Sequence, residues 1–328
     1  MRRRDFVQAL GGFAAYQATT RTALCDSPRK TPLIVWAAAF PMRKELGFLP
    51  AFRAGLVEQN LIEGRDYELA HRFGTGLADF PKLIEDIIAL SPNVIIAPAT
   101  LEAVALKKVT SSIPIVCPAL ANAIHLRLIE SEARPGMNVT GIEPYIAGLP
   151  AKQVELAREI MPSCKTVGLL TNNADPKGPP QIPDLRRAAE ALGLNIIEAN
   201  ANGINEIDEA LTSLSRAGAN VIVVLQTNLL LLNASLIARV ALEREVPTVF
   251  GYREHVVAGG LVSYGVDLRW CYRRAAYLAV KIIRGIKPSE LPIEFPSSFW
   301  LAANVKTAKS LQLVLPSALL FRADEIVE

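Results

Sequence analysis

The chain has 328 residues, of which 51% are hydrophobic and 20% charged; this excludes a disordered polymer and allows two domains of ordinary size. Its 35 Lys and Arg against 32 Asp and Glu leave a net charge of +3, with Arg2, Arg3 and Arg4 crowded at one end. Such a balance points neither to nucleic acid nor to an anionic membrane surface.

The N-terminus reads as an address. Twin arginines precede an apolar position in Arg2-Arg3-Arg4-Asp5-Phe6-Val7, and residues 10–18 are small, weakly apolar and uncharged, as an export signal requires. A cleavage point follows Ala23-Leu24-Cys25; lipidation of Cys25 is an alternative that the bulky Leu24 disfavours, and an uncleaved signal would leave a membrane tether. Residues 1–30 are therefore expected to be an export signal and linker, which makes the protein periplasmic. Cys117, Cys164 and Cys271 remain, an odd number without a C-x-x-C pair, and read as buried free thiols. No later segment is apolar for the roughly 20 residues a bilayer span needs.

From residue 33 onward strands and helices alternate. A strand is predicted over 33–38, a helix over 48–59, a strand over 67–73, then a helix capped by Asp79 with Leu83, Ile84, Ile87 and Ile88 on one face. Strands follow at 94–97 and 113–117 around a helix at 101–109. Further strands are predicted at 167–170, 195–198, 221–225, 247–250, 261–265 and 299–303. Between them, Asp184 is expected to cap a helix carrying Leu185, Ala188, Ala189 and Leu192, and a second helix buries Ile207, Ala210, Leu211 and Leu214. A long helix follows, with Ala275, Leu278, Ala279 and Ile282 on one side and Arg273, Arg274, Lys281 and Arg284 on the other, and a short one at 305–311. One βα pattern occurs twice: Asn93-Val94-Ile95-Ile96-Ala97 leading to Ile113-Pro114-Ile115-Val116, and Asn220-Val221-Ile222-Val223-Val224 leading to Val246-Pro247-Thr248-Val249. The doubling predicts two Rossmann-like α/β lobes with parallel sheets and a cleft between them.

Catalytic signatures are missing. There is no phosphate-binding G-x-x-x-x-G-K-[ST] loop, no G-x-S-x-G elbow and no H-E-x-x-H pair. Gly74-Thr75-Gly76 places Asp79 where a dinucleotide fingerprint has its third glycine, and His71, His125 and His255 are too scattered for a metal motif and read as satisfied surface histidines. No cofactor or metal is expected.

Several segments taken in order carry a resemblance that spans the chain. They are the twin-arginine start with Gly11-Gly12, Pro114-Ile115-Val116, Ala133-Arg134-Pro135-Gly136-Met137-Asn138-Val139-Thr140-Gly141, Ala258-Gly259-Gly260-Leu261-Val262-Ser263-Tyr264-Gly265, and Asn304-Val305-Lys306-Thr307-Ala308-Lys309. Together they resemble the ABC-importer substrate-binding proteins of the type I periplasmic-binding fold, in the branch that includes aromatic amino-acid binders. The resemblance implies a Venus-flytrap architecture without catalytic activity, with three interlobe crossings near 140–144, 263–266 and 292–295. Lobe I would comprise 31–142 plus 264–291, and lobe II 143–263 plus 292–328. A monomer would capture a small organic solute (an amino acid, aromatic acid or other small carboxylate) and pass it to an ABC permease in the inner membrane. An exported ligand sensor or enzyme on the same scaffold is the alternative.

Ligand contacts are expected at strand ends of both lobes: Phe40, Thr100 and Asn122 from the first, Asn172, Gln226 and Tyr252 from the second, with Tyr264 at a hinge. Thr100, opening a helix, would help hold a carboxylate. Asn122, Asn172 and Gln226 would hydrogen-bond polar ends, and Phe40 or Tyr252 would cover an apolar body. Relatives often carry Asp-Pro where this chain has Asn122-Ala123, a departure that favours an anionic or neutral solute over an ammonium compound.

Overall fold

Apolar runs without polar alternation belong to strands covered on both faces. The computed structural model, which describes residues 31–41 and 43–328, forms them: Val94, Ile95 and Ile96 have no exposed surface, and Val221–Val224 are equally buried. The expected export signal, including Arg2, Arg3 and Cys25, lies outside the described residues.

The first half runs β1 (Leu33–Ala38), α1 (Phe48–Glu58), β2 (Glu68–Phe73), α2 (Phe80–Ala89), β3 (Val94–Ile96), α3 (Thr100–Val109), β4 (Ile115–Cys117) and β5 (Val139–Gly141). The second runs α4 (Leu149–Ile160), β6 (Thr166–Thr171), α5 (Gly178–Ala191), β7 (Asn195–Asn200), α6 (Ile207–Arg216), β8 (Val221–Val224), α7 (Asn228–Leu232), α8 (Ala234–Glu243), β9 (Thr248–Phe250), α9 (Arg253–Val257) and β10 (Val262–Val266). The tail adds α10 (Leu268–Ile283), β11 (Phe299–Asn304), α11 (Val305–Ser310), α12 (Ser317–Arg322) and β12 (Glu325–Val327).

The first sheet has the order β2-β1-β3-β4-β5, all parallel. In the second, β7-β6-β8-β9-β10 repeats that order, and β11 and β12 extend it. The doubled sequence pattern is thus a doubled doubly-wound topology. Among the described strands, the antiparallel ladder of β10 with β11 departs from the all-parallel expectation because the tail returns to the sheet edge through residues 284–298 instead of a right-handed crossover.

After β10 the chain leaves its sheet, and α10 packs on α1. Cys271, Tyr272, Ala275, Ala276 and Ala279 share a core with Trp36, Phe52 and Leu56. A Cβ on Gly55 would run into the Arg273 carbonyl, so only glycine lets the two helices approach this closely. A separate core gathers Val154, Leu169, Leu185, Leu211, Val223 and Phe250 around the second sheet. The crossings after β5 and before β11 are tied together: Glu143 N donates to Glu294 O at 2.9 Å, and Glu294 N donates to Gly141 O at 3.0 Å. Arg274 on α10 forms an ion pair with the Glu294 carboxylate.

Local expectations were corrected in three places. Asp184 does not cap a helix: α5 starts six residues earlier at Gly178, and Asp184 Oδ2 instead accepts from Gly148 N at 2.8 Å and from the Tyr145 hydroxyl at 3.1 Å. Prolines 179 and 180 occupy the first turn, where no N–H is required, so what reads as a loop is helical. Asp79 stands before α2, yet its side chain makes no cap bond and takes the Thr75 hydroxyl. His255 is not on the surface; it is 1% exposed and stacks on Phe250 at a centroid distance of 4.5 Å. Cys117, Cys164 and Cys271 are buried free thiols. Among the described residues no helix is long and apolar enough to cross a membrane.

Candidate functional site

Strand order reverses between β1 and β3 in one sheet and between β6 and β8 in the other. At such switch points the loops leaving the strand ends diverge and open a crevice. The two crevices face each other across a chamber of about 570 Å³. Phe40, Pro41, Leu77 and Leu101 line it from the first lobe. From the second come Asn172, Ala174 and Asp175 after β6, Asn202 and Ile204 after β7, and Asn228, Leu229 and Asn233 on and beside α7. A smaller chamber of about 60 Å³ adjoins it beneath Phe40 and Pro41, walled by Trp36, Phe48, Phe73, Tyr272 and Glu102.

Hydrogen bonds fix the second-lobe wall. Asn172 Nδ2 donates to Ala201 O at 2.7 Å, joining the ends of β6 and β7. Asp175 is 3% exposed, and its Oδ1 accepts from Lys177 N at 3.0 Å while Oδ2 accepts from Asn228 N at 2.7 Å. On the first-lobe side Glu102 is 2% exposed; Oε1 accepts from Ala39 N at 3.4 Å, and Oε2 has no partner. Burial pushes this carboxyl up to about 7, only partly offset by the backbone N–H groups of Glu102 itself and of Ala39 and by the Lys177 ammonium of the opposite lobe. The lining is mostly apolar and amide in character, with two carboxylates and the half-exposed Arg43 at the mouth.

The expected ligand residues divide into two groups. Phe40 and Asn172 line the main chamber. Thr100 does not: it is 1% exposed, and its hydroxyl donates to Ala119 O at 3.3 Å, so it is spent inside the lobe. Gln226 turns away as well, with Nε2 donating to Gly251 O at 2.9 Å and its backbone paired to the Gln181 amide. Tyr252 is 2% exposed and packed into the core that contains α10. Asn122 sits at φ 54°, its N–H donating to Glu143 Oε1 at 3.2 Å, and is not among the lining residues. Tyr264 packs against both lobe cores and lines a different depression with Lys152 and Arg322.

Residues that strand-end reasoning overlooked are Glu102, Asp175, Asn202, Ile204 and Asn228. The β7 end, Asn202-Gly203, was the missed signal: a polar-glycine pair at a parallel strand's C-terminal end marks a loop free to reach a ligand.

The sequence matches the family described as ABC transporter substrate binding protein over residues 49–327. A tyrosine-binding protein of Clostridioides difficile is 25% identical over 226 residues, 69% of this chain and 65% of that protein; an uncharacterized protein of Rickettsia prowazekii is 20% identical over 147 residues, 45% of this chain and 48% of its own. The chain therefore spans a little under two thirds and about half of these relatives. Among solved structures, an ABC domain from Streptococcus pneumoniae in complex with L-Trp superposes with a TM-score of 0.83 at 21% identity, covering 91% of this chain and 100% of that one. A conserved domain protein from Vibrio cholerae gives 0.84 at 24% identity, covering 90% and 100%. The fold is that of the type I periplasmic-binding proteins, and the chain belongs to the ABC transporter substrate-binding protein family.

Proposed function

We propose that this protein is the extracytoplasmic receptor of an ABC importer, exported by its twin-arginine signal, which traps a small organic solute by lobe closure and hands it unchanged to an inner-membrane permease. The observation that carries this reading is the chamber of about 570 Å³ bounded by strand ends of both sheets. Its size and its mix of apolar walls with a few amides suit one small solute. The moving bodies are assigned as 31–142 plus 264–291 and 143–263 plus 292–328, with the Glu143–Glu294 backbone bond holding two of the three crossings in step. Relatives described as binding L-Trp or tyrosine support an amine-bearing or aromatic solute as the first class to test.

A thermal-shift screen of amino acids, aromatic acids, amines and sugars against the purified protein tests the reading. A ligand that raises the melting temperature and is recovered chemically unchanged is expected. Recovery of a converted product would replace the receptor with an enzyme on the same scaffold.

A further inference from the structure

Two helix N-termini open towards the cleft, at α3 and α7, and both are already complemented by carboxylates of the protein itself. Glu102 lies in the first turn of α3, and Asp175 Oδ2 accepts the first N–H of α7. The Thr100 hydroxyl is committed to Ala119 O. A ligand carboxylate arriving at either helix would meet negative charge where it needs free N–H groups. Among the described side chains lining the two chambers, Arg43 alone is cationic, and it stands 49% exposed at the mouth, 3.9 Å from Glu45.

The small chamber has the opposite character. Glu102 lines it, and the carboxylate's Oε2 is buried without a hydrogen-bond partner. A buried acceptor left unpaired costs free energy that a ligand donor would recover. Around it stand the rings of Trp36, Phe48, Phe73 and Tyr272; Tyr272 stacks on Phe48 at 4.3 Å and on Trp36 at 5.5 Å between centroids, and its hydroxyl donates to Pro98 O at 3.0 Å. Aromatic faces attract cations, most strongly where water is excluded. The volume of about 60 Å³ takes an ammonium or methylammonium head but not a ring.

We propose that the ligand is an organic ammonium compound whose cationic head enters this aromatic chamber and donates to Glu102 Oε2, while its body fills the larger chamber and no carboxylate is required. The proposal rests on the solute-binding reading above and adds the ligand's charge. It reverses the anionic preference inferred from Asn122: the carboxylate missing there stands at Glu102. Lys177 and Asp175 face Glu102 from the second lobe and Arg43 lines the same chamber. With the carboxyl titrating near 7, affinity for an amine should rise as pH increases from 5.5 to 8.

The test is calorimetric titration of the purified protein with three matched sets: tyramine, L-tyrosine and 3-(4-hydroxyphenyl)propionate; tryptamine, L-tryptophan and indole-3-propionate; and isoamylamine beside isoamyl alcohol. The amine of at least one set should bind at least as tightly as its amino acid and over tenfold tighter than its acid or alcohol. Glu102→Gln, isosteric and uncharged, should weaken that amine at least tenfold; Phe73→Leu, which removes a ring at a half-buried position, should weaken it several-fold at an unchanged melting temperature. Acids or alcohols that bind while amines do not, or Glu102→Gln that folds and keeps full affinity, would overturn the proposal and leave solute binding intact. If none of these probes binds, the proposal falls; if, in addition, denatured native protein releases no small solute detectable by mass spectrometry, the binding reading falls with it.

Discussion

Asp175 Oδ2 accepts the backbone N–H of Asn228 at 2.7 Å, so the end of β6 closes the first turn of the short helix α7 on the chamber wall. The same carboxylate holds Lys177 N at 3.0 Å through Oδ1. Asp175→Ala removes both acceptors and should cost about 1–2 kcal/mol in urea unfolding, with Asp175→Asn recovering part of the loss. An unchanged midpoint for the alanine variant would show that this contact holds nothing.

Glu102 gives the ligand-free protein a pH signature. Its carboxyl titrates at about 7 in the fold against 4.5 ordinarily, so the native state binds this proton more tightly than the unfolded chain. That contribution is complete below 4.5 and is lost as pH rises through 7, on the order of 3 kcal/mol. Glu102→Gln should therefore be near neutral at pH 4.5 and more stable than wild type at pH 8. A stability difference that does not change with pH would contradict the burial argument.

His255 acts in the opposite sense. Burial lowers it to about 4 from 6.5, so its contribution is complete above 6.5 and is lost as pH falls towards 4. Leucine at this position, in His255→Leu, should flatten the acid limb of the stability profile between those values. An acid limb identical to wild type would mean that other groups set it.

Phe40→Ala and Gln226→Ala separate binding from folding. Phe40 is half-buried on both chambers, so its loss should weaken the ligand about tenfold with little change in melting temperature. Gln226 bonds Gly251 O behind the wall, beside Gly265, where a Cβ would strike the Gly251 carbonyl. Gln226→Ala should thus lower stability by about 1–3 kcal/mol and leave the ligand's contacts in place. Equal effects of both changes on affinity and on stability would refute this division.

The fold was legible because hydrophobic period and strand length are local. Asn93-Val94-Ile95-Ile96 and Asn220-Val221-Ile222-Val223 announce the two central strands, and Gly193 and Gly218, glycines just past helical runs, take positive φ there. Helix α4 escaped notice because Pro150 opens it and its buried face includes Gln153, and α5 was shortened because Pro179, Pro180 and Pro183 resemble a loop. At the site, sequence identifies which loops leave the strand ends but not which side chain of each loop points into the cleft. Along an extended segment that direction alternates with every residue. Gln226 turns inward to Gly251, whereas Asn228, where the chain has turned into α7 as its first residue, reaches the chamber. Asp175 and Glu102 were invisible for another reason: their meaning depends on what lies across the cleft.

Small-angle scattering from the purified protein, with and without a saturating amount of the tightest ligand from the screen, tests the trap most directly. A smaller radius of gyration is expected on binding, reversed when the ligand is dialysed away, with the ligand recovered intact. Saturation with no change in the radius of gyration, or recovery of an altered molecule, would contradict capture by lobe closure.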